Sequence, residues 1–178
     1  MSSTFGVPQR RLGPPQAMSS RPTRRQTGED PTQERIWEDP MAFHPYLNFG
    51  GNCREAFTRY QEIFGGELVL LPMSDMPSDE AVPADQADLI MHAALTFEDH
   101  LLMASDDPTE NFGPVQGMYV NYTVADVAEA ERVFEALADG GEVTMPLAET
   151  FWSPKFGMCV DRFGTPWMVN AEAPEQPS

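Results

Sequence analysis

Two stretches of the chain place apolar residues at helical spacing, and alternating apolar and polar residues flank each stretch. In the first, apolar residues recur every three or four positions, which predicts a helix with one buried face: Cys53, Ala56, Phe57, Tyr60, Ile63 and Phe64. The second has the same spacing at Val127, Ala130, Val133, Phe134 and Leu137. Asn52 and Asp126 stand where N-caps belong, with Glu55 and Glu129 three residues on. We therefore predict a capping box at the start of both helices.

The whole pattern occurs twice. Residues 46–49, Tyr-Leu-Asn-Phe, return as Tyr-Val-Asn-Tyr at 119–122, and the Gly-Gly-Glu of residues 65–67 returns at 140–142. The offset between the copies is 73 to 75 residues. One supersecondary unit used twice fixes most of an architecture, so the repeat outweighs local propensity. The two glycine pairs are expected to end the two helices.

Alternation with period two predicts four strands in each copy. They are residues 43–49, 67–73, 89–97 and 100–104 in the first copy, and 118–124, 142–146, 156–160 and 166–170 in the second. Each copy therefore has the order βαβββ. We predict an α+β fold of two tandem βαβββ modules, about residues 43–106 and 117–171, forming a curved mixed sheet with helices on the outer face and a central cleft.

Composition separates residues 1–40 from the rest of the chain. This segment holds six of the 17 prolines and six of the 11 basic residues, with almost no apolar periodicity. Such a composition cannot bury enough surface to offset the entropy of ordering, which predicts a disordered N-terminal tail. Met41 directly precedes the patterned region and is an alternative start of translation. The folded domain is expected to span residues 41–178.

The remaining 138 residues carry five basic and 23 acidic side chains, a net charge of −18. A surface with this much negative charge repels phosphate backbones and anionic lipids. We therefore expect neither a nucleic acid nor a membrane as a partner. The sequence shows no secretory signal and no span of about 20 apolar residues. Cys53 and Cys159 form neither a disulfide framework nor a paired metal motif. These features predict a cytoplasmic protein with reduced cysteines.

The chain resembles the vicinal oxygen chelate superfamily of glyoxalases, bleomycin-resistance proteins and extradiol dioxygenases, and within it the PhnB-like branch. The likeness covers about residues 43–171 and is carried by residues 45–49, 51–56 and 92–95, by Glu149-Thr150-Phe151-Trp152, and by Phe156-Gly157, Asp161-Arg162-Phe163-Gly164 and Trp167. It implies a homodimer that acts on a small molecule, through lyase, isomerase or dioxygenase-like chemistry. The alternative is a non-catalytic protein that sequesters a drug or metabolite.

Members of this superfamily often hold a divalent metal with His or Glu from the first and last strands of each module. His44 lies near the first such position, but residues 117–119, Met103 and Met168 occupy the others. Thioether sulfur is a poor ligand for hard divalent ions. The cofactor is therefore unknown: a divalent metal is possible, but the ligand set of the family is not intact. PhnB-like sequences are sometimes labelled ubiquinone-pathway methyltransferases, and the sequence lacks the glycine-rich turn expected for a nucleotide-like methyl donor.

His92 is the first candidate catalytic residue. Strand alternation predicts that it shares a face with Ile90, Ala94 and Thr96, opposite the apolar side of the strand, and so points into the cleft. An imidazole there can act as acid, base or hydrogen-bond donor near neutral pH. The alternative is a satisfied histidine on a half-buried strand.

Glu149 is the second candidate, because a carboxylate beside aromatic walls can have a raised pKa and act as a general base. The alternative makes it an ion-pair partner of Lys155, with Phe151 and Trp152 as core or dimer contacts. Trp167 and Met168 alternate, so one of them faces the cleft. The predicted ligand-binding residues are His44, Tyr46, Phe151, Trp152 and Trp167.

Overall fold

A computed structural model describes residues 43–77, 82–109 and 112–172. The predicted disordered tail and the alternative start at Met41 lie outside these residues. The helices and strands follow in the order β1 (Tyr46–Phe49), α1 (Cys53–Phe64), β2 (Glu67–Pro72), β3 (Ile90–Phe97), β4 (His100–Asp106), β5 (Val120–Val124), α2 (Val127–Ala138), β6 (Glu142–Ala148), β7 (Lys155–Val160) and β8 (Pro166–Ala171), with a short 3₁₀ helix at Met73–Asp75.

Each module forms its own four-stranded sheet, in the order β1-β4-β3-β2 and β5-β8-β7-β6. The first strand of each module runs parallel to the last, whereas the other neighbours are antiparallel. Mixed sheets with helices on one face are expected when a helix connects the first two strands of a module. The α+β class and the two βαβββ modules are thereby confirmed.

The sheets have one covered and one uncovered face. Residues that alternate toward the helices are mostly buried, such as Leu47, Leu102 and Ala104 in the first sheet. The opposite side of the first sheet, which we call open face one, carries Tyr46, Asn48, His92, Ala94, Thr96, Met103 and Ser105. The opposite side of the second sheet, open face two, carries Asn121, Thr123, Phe156, Met158, Met168 and Asn170.

The modules meet through α1. Its Tyr60 and Phe64 rings contact Trp167 on the covered face of the second sheet, at centroid distances of 5.3 and 5.5 Å. Phe64 also stacks on Phe97, from the covered face of the first sheet, at 5.4 Å. The covered faces of both sheets therefore pack on one helical layer. In the described part of the chain, no hydrogen bond or ring contact joins open face one to open face two.

A buried carboxylate joins the modules at the same place. Asp161, which follows β7, accepts hydrogen bonds from the Tyr60 hydroxyl (2.6 Å) and the Trp167 indole (2.8 Å) through Oδ2. The backbone N–H groups of Phe163 and Thr165 donate to its Oδ1, both at 2.9 Å. Four donors offset the cost of burying this charge. We call Tyr60, Asp161, Thr165 and Trp167 the Asp161 cluster.

The predicted N-cap residue is correct for α2 and wrong for α1. The Asp126 side chain accepts from Ala128 N–H at 2.9 Å, as an N-cap does. The Asn52 side chain makes no cap hydrogen bond. Asp106 at the end of β4 accepts instead from the N–H groups of Gly51 (2.9 Å) and Cys53 (3.0 Å). A carboxylate from a distant strand thus satisfies the helix terminus that a local side chain was expected to satisfy.

Neither capping box forms. The Glu129 carboxylate binds the Arg132 guanidinium, at 2.6 and 2.7 Å, instead of turning back to the helix start. Both apolar stripes are otherwise where the periodicity predicts them, with buried residues along the length of α1 and α2. Among the residues described, no helix is long and apolar enough to cross a membrane.

Candidate functional site

His92 lies on open face one, with Tyr46 as its neighbour. The Tyr46 hydroxyl is 3.4 Å from His92 Nδ1, and the ring centroids are 6.0 Å apart. Partial burial lowers the pKa of the His92 imidazole below its ordinary value. A neutral imidazole near pH 7 can accept a proton, and the nearby hydroxyl helps to orient it. The structure thus brings a predicted catalytic residue and a predicted ligand-binding residue together within module one.

The predicted face of β3 needs one correction, at Ile90. Ala94 and Thr96 share open face one with His92, but Ile90 is fully buried on the covered side. The register between β2 and β3 shifts at Leu71 and Pro72, because Pro72 pairs with Ile90 and leaves Met91 as an extra residue. Such a bulge reverses the alternation before it. The orientation of His92 is unaffected.

The loop between β6 and β7 carries the other candidate residues at one edge of open face two. Ser153, which is buried, anchors the loop: its hydroxyl donates to the carbonyl oxygen of Ala171 at 2.6 Å. Thr150 N–H donates to Ser153 O at 2.9 Å and closes the turn. The loop thus holds Phe151 and Trp152 at its tip, where they are 96% and 50% exposed.

The loop and the sheet share one aromatic surface. The Phe151 and Trp152 rings meet edge to face at 4.4 Å, and Trp152 contacts Phe156 on open face two at 5.7 Å. So much exposed aromatic area on a rigid loop is typical of a binding surface. Glu149 at the base of this loop is exposed, and Lys155 pairs with Glu131 at 2.7 Å. No ion pair between Glu149 and Lys155 is present among the described residues.

Trp167 and His44 are placed apart from these groups. Trp167 is 2% exposed and belongs to the Asp161 cluster, so it faces the helical layer, and Met168 is the residue on open face two. The prediction of Trp167 as a ligand contact therefore does not match its position in the core. His44 is exposed in the segment before β1. Within one chain, no hydrogen bond or ring contact links His92 to Glu149 in the described residues.

The side chains present do not fit a glyoxalase-type metal. No group of three or more His, Cys, Asp or Glu able to hold a metal ion occurs in residues 43–77, 82–109 and 112–172. The first and last strands instead direct Asn48, Met103, Asn121 and Met168 onto the open faces. Amide and thioether groups of this kind are weak ligands for hard divalent cations.

Cavities lie beside the sheets in the described part of the chain. A cavity of about 220 Å³ borders open face one and is lined by Tyr46, Asn48, Phe112 and Met118, among others. A larger groove of about 630 Å³ runs along the outer side of α1. Two of its arginines form ion pairs, Arg59 with Glu62 at 3.0 Å and Arg162 with Asp139 at 2.7 Å, and none of the predicted site residues lines it. The open faces therefore remain the candidate site.

Sequence reasoning missed the polar residues of the open faces. Asn121 and Asn170 lie on open face two, and Asn48 lies on open face one. The period-two alternation of β8 contained the signal for Asn170, because it shares a face with Met168. Which face of β8 was covered was not evident, because that depends on the packing of α1 against a different module.

Two βαβββ modules with parallel first and last strands and uncovered polar and aromatic faces define the fold of the vicinal oxygen chelate superfamily. The chain belongs, within it, to the PhnB-like family whose model, described as 3-demethylubiquinone-9 3-methyltransferase, matches residues 41–170. The predicted family resemblance is confirmed.

Individual relatives are similar over nearly their full length. The protein YjdN of Escherichia coli (strain K12) is 34% identical over 139 residues, which cover 73% of this chain and 95% of YjdN. The protein PA1353 from Pseudomonas aeruginosa, whose crystal structure is known, is 49% identical in sequence, with a TM-score of 0.69. The match covers 74% of this chain and 98% of PA1353. A putative 3-demethylubiquinone-9 3-methyltransferase, PhnB protein, from Bacillus cereus is 26% identical, with a TM-score of 0.60 and coverage of 74% and 99%.

Proposed function

We propose that this protein is a homodimer of the glyoxalase and bleomycin-resistance type that binds a small organic molecule between open face one of one chain and open face two of the other. The observation that supports the proposal is that the sheets of one chain are joined through their covered faces. Both covered faces pack on α1 through Tyr60, Phe64 and Trp167, whereas no hydrogen bond or ring contact in the described residues joins the two open faces. We infer that a second copy supplies the opposite wall of the cleft.

Symmetry supports this arrangement. If open face one of the first chain covers open face two of the second, a twofold axis makes the reverse contact identical, and the assembly closes as a dimer. Exposed apolar side chains stand at or near both faces, among them Tyr46 and Met118 on one side and Phe151 and Trp152 on the other. Covering such surfaces is the main driving force for association between proteins.

The proposed cleft unites candidates that are separated in one chain. His92 and Tyr46 come from one chain, and Trp152, Phe156 and Glu149 from the other. The aromatic side chains supply the apolar walls typical of small-molecule sites, and the imidazole and carboxylate supply polar groups. We also propose a cytoplasmic location, which is supported by two buried free thiols, Cys53 and Cys159.

Proton transfer is the second candidate function, favoured by the His92 and Tyr46 contact. An imidazole with a lowered pKa can abstract a proton from a bound substrate and, as the imidazolium, return that proton to another atom of it, while the Glu149 carboxylate of the second chain can stabilise the imidazolium in between. This chemistry corresponds to a lyase or isomerase. Without it, the same cleft sequesters its ligand unchanged.

Methyl transfer is not proposed, despite the name of the family model. A nucleotide-like donor needs free N–H groups at the turn from a strand into a helix. In the turn from β1 to α1, Gly51 and Cys53 N–H both donate to Asp106.

Mixed dimers test the proposed cleft. A thermal-shift screen of small aromatic compounds first identifies a ligand, and its binding is measured with the His92→Ala and Trp152→Ala variants. Each variant alone has both clefts damaged. Unfolding and refolding them together yields mixed dimers in which one of the two clefts is intact, so about a quarter of the wild-type binding capacity returns.

Several results decide between the alternatives. A monomer by light scattering, or no recovery in the mixture, overturns the shared cleft. Mixing His92→Ala with Tyr46→Ala is the matched control, because both changes lie on open face one and no intact cleft can form. Turnover of the ligand that is lost in Glu149→Gln and His92→Ala establishes proton-transfer chemistry, whereas binding without turnover establishes sequestration.

A further inference from the structure

We propose that three methionines on open face two, Met145, Met158 and Met168, form a binding site for a soft monovalent metal ion, Cu(I) or its analogue Ag(I). They lie side by side on β6, β7 and β8, because Met158 pairs with Met145 on one neighbouring strand and with Met168 on the other. We call these three residues the methionine row. All of its sulfur atoms come from one chain, so this inference does not rest on the proposed dimer or on its organic ligand.

Strand pairing directs the three side chains to the same side of the sheet. Residues that are directly opposite each other on neighbouring strands project from one face, with Cβ atoms about 4.5 to 5.5 Å apart. The register between β6 and β7 shifts before and after Met145, but the pair of Met145 with Met158 is retained. A methionine side chain has three rotatable bonds, so the two outer sulfur atoms can turn toward the central one. The methionine row can therefore bring three thioethers to a single ion.

Core packing is the usual role of methionine, and it does not account for the methionine row. Within the described residues, none of its members belongs to the hydrophobic core or packs against it. Their chain neighbours Cys159 and Trp167 fill that role on the covered face, where both are buried. Each methionine of the row is instead partly exposed on the uncovered side of the sheet, where an ion in solution can reach it.

The chemistry of the donors selects the ion. Thioether sulfur is a soft, uncharged ligand that suits Cu(I) and not hard ions such as Mg²⁺ or Ca²⁺. The same side chains that do not fit a glyoxalase-type divalent metal therefore fit a soft monovalent one. Thiolates are the stronger soft ligands, but Cys53 and Cys159 are buried, and burial raises the pKa of both thiols, to about 12 and about 11. Both stay protonated at neutral pH and compete poorly for the ion.

Titration of the full-length protein with silver nitrate tests the site, with the methionine methyl groups labelled with ¹³C. Ag(I) has the ligand preference of Cu(I) without its redox chemistry, and each methionine methyl group gives its own NMR signal. We expect the signals of Met145, Met158 and Met168 to shift together and to saturate at a single ion per chain. The same titration with Cu(I) under anaerobic conditions should shift the same signals. Zn²⁺ should not, because proteins hold zinc through thiolate, imidazole and carboxylate groups.

Leucine substitutions assign the signals and remove the sulfur atoms at nearly constant volume. Met158→Leu, at the centre of the row, should abolish the joint shift of the other two signals. Met145→Leu and Met168→Leu should each weaken silver binding at least about tenfold, because loss of an indirect partner of a metal ligand already costs that much. Met103→Leu is the matched control: it removes a methionine of open face one whose partners on β1 and β3 carry no sulfur, and the affinity should not change.

Three results would overturn the inference. The first is that the three signals do not shift together with silver, or do not shift with Cu(I). The second is that Met158→Leu binds silver as tightly as the wild type. The third is that the Met103 signal shifts as much as those of the row, because isolated thioethers then bind equally well. Circular dichroism before each titration confirms that the variants are folded, so that a loss of binding reports the missing sulfur atom.

Discussion

Replacing Tyr60 by phenylalanine removes a single oxygen atom from the contact between the two modules. The Tyr60 hydroxyl donates to Asp161 Oδ2 at 2.6 Å and lies 2.9 Å from Thr165 Oγ1. Phenylalanine keeps the ring, and with it the contacts to Phe57 and Trp167 at 5.5 and 5.3 Å. The substitution therefore tests the hydrogen bond separately from the aromatic packing.

The expected cost follows from the charge of the acceptor. A hydrogen bond to a buried charged group contributes about 1.5 to 3 kcal/mol to stability. After the substitution, Asp161 still accepts from Trp167, Phe163 and Thr165, so the carboxylate is not left unpaired. We expect a loss of about 2 kcal/mol in the free energy of unfolding. For a domain of this size the melting temperature falls by about 7 °C.

Urea denaturation at fixed protein concentration measures this loss, because the proposed dimer would make apparent stability depend on concentration. The midpoint should fall by about 1 M with an unchanged slope. Tyr119→Phe is the control: Tyr119 is 38% exposed, and its substitution should cost less than about 0.5 kcal/mol. Equal losses in the two variants, or a Tyr60→Phe loss below about 0.5 kcal/mol, would refute the role assigned to the hydroxyl.

Three further predictions concern pH and a tight turn. Folding lowers the pKa of His92 below its unfolded value of 6.5, so the unfolded state binds more protons. The free energy of unfolding should therefore fall as the pH drops below 6.5. His92→Gln should flatten the plot of urea midpoint against pH between about pH 7.5 and 5. Burial raises the pKa of the Cys53 thiol from 9.0 to about 12, so the free energy of unfolding should fall as the pH rises through this range. If it falls as steeply with pH in Cys53→Ala as in the wild type, the assignment to Cys53 is contradicted. A Cβ at Gly66, where φ is +87°, would overlap a backbone carbonyl of β3, so Gly66→Ala should cost about 3 kcal/mol or more. Gly65→Ala, at φ +76° and ψ −158° with open space around the new methyl, introduces backbone strain alone and should cost less than Gly66→Ala, about 1 to 3 kcal/mol; equal losses in thermal unfolding would exclude the overlap.

Local periodicity was enough to identify the modules. The stripes of α1 and α2 and the alternation of the strands depend on neighbours three, four or two residues away, so the sequence pattern reports them directly. The recurrence of the pattern then predicted two copies of one unit. The bounds of β4 and β6 still differed by two residues, since strand ends depend on pairing with other strands.

Long-range contacts decided what the pattern left open. Asn52 has the right residue type and position for an N-cap, but Asp106, more than 50 residues away, satisfies the N–H groups at the start of α1. Trp167 and Met168 are neighbours on β8 and point to opposite faces of the sheet, but the alternation does not say which face is covered. The contact of Trp167 with Tyr60 determines that Trp167 is the buried one. The candidate site depended on the same contact, because it determines which side of each sheet is uncovered.

The pairing of the first strand with the last in each module also orders the events of synthesis. In module one these strands are about 57 residues apart, so the sheet closes only when β4 has left the ribosome. The hydrogen bond from Tyr60 to Asp161 can form only later, because Asp161 is 101 residues further along the chain. During that interval Tyr60 lacks its partners Asp161 and Trp167, although Phe64 of the same helix can already stack on Phe97. Between the synthesis of module one and that of module two, the nascent protein therefore exposes the side of α1 that later packs on module two. A chaperone would have the most apolar surface to cover during this interval.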